Sequence, residues 1–120
     1  MLIIKANKLS KIQKEFNDLF PYLKLEFFRQ LHKVHAASPK QTIIKEDILL
    51  SPVHDGEDEI FLNEHMPVSA LEQLFQDQFG ISAQVFRKSG NIWLETTRTD
   101  DWTLKQQNDQ GLELSRFKSL

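Results

Sequence analysis

Histidine and carboxylate side chains in the middle of the chain are the residues whose types could hold a metal ion. His32 and His35 are three residues apart, and His54 and Asp55 begin an acidic stretch. Structural zinc sites usually present four ligands in a tighter pattern. Two histidines three apart share a face only on a helix, and we interpret this segment as a strand end or loop. The four residues are therefore weak metal candidates beside the simpler interpretation, a polar loop.

Motifs for covalent catalysis and phosphate binding are missing from the sequence. There is no cysteine, which excludes thiolate nucleophiles, disulfides and zinc–thiolate sites. No G-x-S-x-G, P-loop or G-x-G-x-x-G pattern occurs. The adjacent carboxylates Asp100 and Asp101 could do acid–base work, but their place before a predicted helix indicates that they complement its dipole. We predict no catalytic residue and no cofactor, and we favour a protein that is not an enzyme.

Aromatic and basic residues form the strongest candidate for a binding surface. Phe28, Phe86 and Trp93 fall on the polar sides of predicted strands, and Arg87 stands beside them. Trp102 precedes the C-terminal helix, which is placed to cover these rings. Burial of the rings is the first interpretation, a protein-contact surface the second and base stacking the third. These five residues are the predicted interaction residues.

The charge of the chain argues against nucleic acid as the partner. The formal net charge is -2, whereas domains that bind DNA are usually basic. The aromatic pattern of an RNA-recognition motif is also missing. Nucleic acid is therefore an unlikely partner.

Three helices are predicted from apolar residues spaced three and four apart. Signals for the start and end of each helix accompany the spacing. They are Asn7 and Pro21 for the first helix, the capping box of Ser69 and Glu72 with Gly80 for the second, and the capping box of Thr103 and Gln106 with Gly111 for the third.

A β-branched run predicts a buried strand at 2–6, and a short strand is predicted at 59–62. Alternation of Leu23, Leu25 and Phe27 predicts a strand within 22–31. A helix with Leu23, Phe27, Leu31 and Val34 on one face is the alternative, and the strand is preferred because Pro21 has just ended a helix. Residues 42–50 could be a further strand or a short helix.

A hairpin is predicted at 81–97. Gly90 supplies the positive φ of the hairpin turn. A two-residue loop of Ser89 and Gly90 would place Phe86 opposite Trp93, and a three-residue loop would place Val85 there. Because Ser89 tolerates positive φ poorly, the longer loop is favoured.

The element order predicts one α+β domain over residues 1–120, roughly β-α-β-(β)-β-α-β-β-α. Its sandwich could take a ferredoxin-like form. Residues 32–58 are a loop-rich middle section of uncertain structure. The first residues do not fit a signal peptide, and no apolar stretch has the length of a membrane span, so we predict a cytoplasmic protein.

The stretches FPYLKLEFF and FGISAQVFRKSGNIWLETTRTDDWTL resemble parts of small bacterial proteins to which no activity is assigned. The likeness skips the middle section. It implies a stand-alone bacterial domain and no catalytic residue.

The function predicted from these features is non-enzymatic protein interaction or assembly through the aromatic hairpin, with a protein partner or as a homodimer. One alternative is a metal-binding or small-ligand protein that uses the middle section. The other is a weak binder of single-stranded nucleic acid.

Overall fold

The computed structural model describes residues 2–29 and 43–117, without the side chain of Phe117. The strands and helices, with a short 3-10 turn at Thr97–Thr99 before the last helix, are β1 (Leu2–Lys5), α1 (Leu9–Leu19), β2 (Leu23–Phe28), β3 (Glu59–Leu62), α2 (Val68–Phe79), β4 (Ser82–Ser89), β5 (Ile92–Glu95) and α3 (Leu104–Phe117). The predicted α+β class is confirmed. Within residues 43–50, Ile43 and Leu49 form isolated bridges to Phe28 and Lys8, and this range contains no strand or helix.

The strands lie in two antiparallel sheets. One pairs β1 with β3, with Ile3 opposite Phe61, and the other has the order β2-β4-β5. The five strands are divided between these two sheets. The ferredoxin-like form stays a prediction.

Both sheets and the helices share one hydrophobic core. Its side chains come from β1 and β3 (Ile4, Ile60), from α1 (Phe16), from β2 (Phe27) and from α2 (Phe75). The rings of Phe27 and Phe75 meet edge-on with their centroids 5.3 Å apart. The two sheets therefore belong to one compact domain.

The start of α1 is stabilised from a distance. Asn7 accepts a hydrogen bond from the amide of Lys8 and not from the first turn, so its predicted capping role is wrong. The carboxylate of Asp47 accepts hydrogen bonds from the amide of Ser10 at 2.9 Å and from its hydroxyl at 2.8 Å. A residue far along the chain thus satisfies an amide at this helix start.

The starts of α2 and α3 are joined to each other. The amides of Val68 and Ser69 donate to the carbonyls of Trp102 and Asp100. The amide of Leu104 donates in turn to the backbone carbonyl of Met66, and the amide of Lys105 donates to the backbone carbonyl of Glu64. Each helix start therefore has its free amides satisfied by the loop that leads into the other.

The two predicted capping boxes have opposite outcomes. The Ser69–Glu72 box is wrong, because α2 has no side-chain cap and Glu72 binds elsewhere. The Thr103–Gln106 box is confirmed: the amide of Thr103 donates to the side-chain oxygen of Gln106, and the amide of Gln106 donates to the hydroxyl of Thr103.

The two glycines predicted to end helices also differ. Gly80 ends α2 in the left-handed conformation, as predicted. Gly111 lies inside α3, which continues to Phe117, so its predicted role is wrong. A Cβ at position 111 would lie 2.7 Å from Cβ of Tyr22, closer than side chains pack. Glycine is required there because α3 approaches Tyr22 so closely.

Candidate interaction surface

The hairpin turn sets which residues of β4 and β5 meet. Ser89 lies opposite Ile92 and Lys88 opposite Trp93, which leaves Gly90 and Asn91 as the two-residue loop. Gly90 has a φ of 65° and Asn91 a negative φ, as in a type II′ turn. Both predicted registers are therefore wrong. Because Gly90 is the first loop residue, it takes the positive φ, and Ser89 stays in β4. The objection to a two-residue loop, that Ser89 would need a positive φ, therefore does not apply.

Two rings and two lysines share one face of the three-stranded sheet. Side chains directly opposite each other lie on the same side, and they alternate along each strand. Lys24 is opposite Phe86, and Lys88 is opposite Trp93. We name these four residues the aromatic–lysine face. All four are half-buried.

The lysines lie close to the rings. Nζ of Lys24 is 5.1 Å from the ring centroid of Trp93 and 5.6 Å from that of Phe86, and Nζ of Lys88 is 5.8 Å from that of Trp93. At these distances a cation is attracted to the electron-rich face of a ring. Lys24 also lies 3.7 Å from a carboxylate oxygen of Glu26. The face therefore offers flat apolar surface beside two lysines, with Glu26 and Glu95 on the same side of the sheet.

The described helices pack on the opposite face or at the edges of this sheet. Phe27 on that opposite face meets Phe75 of α2. Arg87, on the same side as Phe27, donates to the side-chain oxygen of Gln107 on α3. Within the described residues, these contacts leave the aromatic–lysine face without a helix over it.

Arg87 and Trp102 belong to the contact between β4 and α3. The guanidinium of Arg87 is 5.9 Å from the ring centroid of Trp102 and donates to Gln107 at 2.8 Å. Burial lowers the pKa of Arg87, because a low-dielectric environment disfavours its charge. Its Nε has no hydrogen-bond partner among the described residues.

Phe28 lies at the far end of β2, where it is 6% exposed and bridges Ile43. The five predicted interaction residues are thus divided among three places. Phe86 and Trp93 share the aromatic–lysine face, Arg87 and Trp102 the α3 contact, and Phe28 is buried. Their role in binding a partner stays a prediction.

Glu72 has a role that the sequence did not indicate. Where β5 ends, its carboxylate accepts a hydrogen bond from the amide of Val85 at 3.0 Å, and the hydroxyl of Thr96 donates to the carbonyl of Val85 at 2.9 Å. Two side chains thus replace the missing strand beside β4. Burial raises the pKa of Glu72 to about 7, against the hydrogen bond from Val85, and the nearby charge of Asp100 adds to the rise.

The metal candidates are only partly within the described residues. His54 and Asp55 are exposed at a turn, while His32 and His35 lie outside the described ranges. Among residues 2–29 and 43–117, no three His, Asp or Glu side chains are grouped to hold a metal ion. The metal-binding alternative therefore rests on the sequence alone.

In the described part of the chain, every helix is too short or too polar to cross a bilayer. Comparison with known proteins gave no match: no family model fits the chain, and no curated protein or solved structure is significantly similar to it.

Proposed function

We propose that this chain is a protein-interaction domain that binds a partner through the aromatic–lysine face. The observation that supports this is the pair of half-buried rings, Phe86 and Trp93, with lysines over them and no described helix on that side of the sheet. Tryptophan is enriched among the residues that dominate binding energy, because it combines a large apolar area with few rotatable bonds. The domain works without a catalytic step, in the cytoplasm of a bacterium.

The chemistry of the face defines the kind of partner. Phe86 and Trp93 would contact an apolar side chain. Lys24 and Lys88 would approach carboxylates on either side of it, because opposite charges across an interface steer association. We therefore propose an acidic segment with a central apolar residue as the ligand.

The experiment compares partner capture by the wild-type chain, by Trp93→Ala and by Lys24→Ala/Lys88→Ala. Phe61→Ala is the matched control, since Phe61 is an exposed aromatic residue on the other sheet. We expect proteins retained by the wild type and by Phe61→Ala to be lost with Trp93→Ala, with a fall in affinity of about tenfold or more. Circular dichroism verifies that each variant is folded. Retention of the same partners at the same affinity by Trp93→Ala would contradict the proposal.

Single-stranded nucleic acid is the second candidate, because bases also stack on rings beside lysines. The net charge of -2 disfavours it. Fluorescence anisotropy with a labelled single-stranded oligonucleotide tests it at low and high salt. Binding that weakens steeply with salt and requires Trp93 would favour nucleic acid over protein.

A further inference from the structure

We infer that the outer edge of β5 pairs with the same edge of a second copy of this chain, which gives a two-fold symmetric dimer. The inference goes beyond the proposed function, because a monomer could also bind a partner through the aromatic–lysine face.

The backbone of β5 offers hydrogen bonds on its outer side. In an antiparallel sheet, the amide and carbonyl of successive residues point to alternate sides. The amide of Lys88 donates to the carbonyl of Tyr22 on the β2 side. The backbone amide and carbonyl of the preceding residue, Arg87, therefore point toward β5, where Arg87 pairs with Leu94. The backbone groups of Trp93 and Glu95 consequently point outward. Among the described residues, nothing is hydrogen-bonded to them on that side.

Other strand edges of this protein are covered by side chains. Gln13 and Asn17 of α1 donate to carbonyls along the outer edge of β2, each at 2.8 Å. Gln78 of α2 donates to the carbonyl of Glu59 on β3 at 2.7 Å. These amides occupy backbone groups that would otherwise pair with another chain.

The edge of β5 lacks three of the usual protections against pairing, namely lysine, proline and a bulge. Its sequence, IWLE, contains no proline or lysine, and its pairing with β4 is free of a bulge. Ile92 is 54% exposed and Leu94 38% exposed, both on the side opposite the aromatic–lysine face. Proteins usually protect an exposed apolar edge with lysine, proline or a bulge, among other means. An edge left in this state is suited to pairing.

Symmetry restricts the register of the pairing. Residues opposite each other must lie on the same face, so the two-fold axis passes a residue and not the midpoint between two residues. Axes at Leu94 and Trp93 each pair three residues of β5 with the second copy, more than axes at Ile92 or Glu95. With the axis at Leu94, Trp93 lies opposite the partner subunit's Glu95, and four backbone hydrogen bonds form between the copies. With the axis at Trp93, the two Trp93 rings lie opposite each other, and each has a Lys88 over it.

Charge selects the axis at Leu94. Glu95 is exposed and makes no ion pair within the described residues, and Nζ of Lys88 lies 5.8 Å from the ring centroid of Trp93. Pairing at Leu94 brings the partner subunit's Glu95 next to Trp93 and within reach of Lys88. Pairing at Trp93 would instead bring the lysines of the two copies toward each other. A second copy therefore complements the charge of this edge only in the first register.

Single cysteines test the register directly, because the chain has none of its own. At the axis, the two copies of residue 94 form a non-hydrogen-bonded pair with Cα atoms about 4.5 Å apart, a distance that a disulfide can span. We expect Leu94→Cys to oxidise to a covalent dimer, while Trp93→Cys and the control Ile3→Cys stay at the background level of random collision. Ile3 is a suitable control because it is 53% exposed on the other sheet.

The dimer itself is measured by native mass spectrometry across a range of concentrations, with Leu94→Glu as the disrupting variant. We expect a dimer for the wild type and for Ile3→Glu, and a monomer for Leu94→Glu, which would place two carboxylates at the axis. A wild type that stays monomeric at every concentration would overturn the inference. Cross-linking through Trp93→Cys in preference to Leu94→Cys would instead overturn the register with the axis at Leu94.

The same variant separates this inference from the proposed function. Leu94 points away from the aromatic–lysine face, so Leu94→Glu leaves the face in place. Partner capture that survives in a monomeric Leu94→Glu supports the binding role of the face without self-pairing. Loss of capture in Trp93→Ala with the Leu94→Cys cross-link retained supports both proposals.

Discussion

Single side chains in this protein occupy positions that their neighbours in sequence do not explain. The spacing of Ser69 and Glu72 predicted a local cap on α2, yet the carboxylate of Glu72 reaches the amide of Val85 on β4. The position is half-buried and close to Asp100, so the carboxylate is held where its charge is disfavoured.

Replacing Glu72 with glutamine tests the cost of this charge. Because folding raises the pKa of Glu72 to about 7 from an ordinary value of 4.5, the folded state holds the proton more tightly than the unfolded state. The contribution of Glu72 to the free energy of unfolding is therefore fully present below the unfolded pKa, and it is lost as the pH rises through the folded pKa of about 7. The full pKa shift corresponds to a change of about 3 kcal/mol in the free energy of unfolding. Because Glu72 is partly in contact with water, which screens its charge, we expect a change of roughly 1–2 kcal/mol.

We expect Glu72→Gln to remove this fall in stability, since glutamine keeps an oxygen that can accept from Val85. Urea unfolding at several pH values between about 5 and 8 measures it. Glu113→Gln, an exposed position on α3, is the control. An unchanged pH dependence in Glu72→Gln would show that Glu72 does not titrate as the structure indicates.

Gly111 gives a prediction based on space. Alanine would improve the helix by about 1 kcal/mol, but its Cβ would collide with Tyr22 at 2.7 Å. Overpacking of this kind costs about 1–3 kcal/mol, so we expect Gly111→Ala to destabilise the fold by roughly 1 kcal/mol after the gain in propensity. Urea unfolding, with Glu113→Ala as the exposed control on α3, measures the difference. A stabilised Gly111→Ala would mean that α3 can move away from Tyr22 at little cost.

At the scale of elements, helix starts depend on segments distant in sequence. The loop before α2 and the loop before α3 satisfy each other's amides, which brings two positive helix ends together. Asp100 lies in this region, which accounts for its effect on the pKa of Glu72. The carbonyl of Asp100 accepts a hydrogen bond from the amide of Ser69 at the start of α2, and its role with the dipole of the helix that follows it stays a prediction.

The cap of α1 by Asp47 gives the prediction at this scale. Hydrogen bonds from the amide and hydroxyl of Ser10 lower the pKa of Asp47. Its contribution is therefore present above the ordinary carboxyl pKa and is lost as the pH falls through the lowered value. We expect Asp47→Ala to lower stability less than Gly111→Ala does, and to speed hydrogen exchange in the first turn of α1.

The measurement is hydrogen exchange at the amide of Ser10, compared between the wild type and Asp47→Ala. Asp47→Asn should retain part of the protection, because its side-chain oxygen can still accept from this amide. Asp55→Ala, at an exposed turn, is the control. Equal exchange at Ser10 in the wild type and Asp47→Ala would contradict the cap.

At the scale of the whole molecule, the pairing of β5 would join two three-stranded sheets into one of six strands. The aromatic–lysine faces of both copies would then lie on the same side of that sheet. Because a dimer is stabilised by mass action, the unfolding temperature should rise with concentration for the wild type and not for Leu94→Glu. Differential scanning fluorimetry over a concentration series measures this.

The sequence by itself determined the features that depend on local pattern. Apolar residues at helical and strand spacing identified α1, α2 and the hairpin, because burial of one face imposes those periods on any chain. The box of Thr103 and Gln106 was also readable, since both partners lie within one helical turn.

Only the tertiary structure decided where polar groups and close approaches find their partners. Glu72 and Asp47 bind amides that are distant along the chain, and Gly111 is required by Tyr22, which lies in another element. The two-residue loop lies one position later than expected, at Gly90 and Asn91, so the residue opposite Trp93 is Lys88 and neither Phe86 nor Val85. A local pattern cannot specify these contacts, because each depends on which distant group reaches the same place in the folded chain.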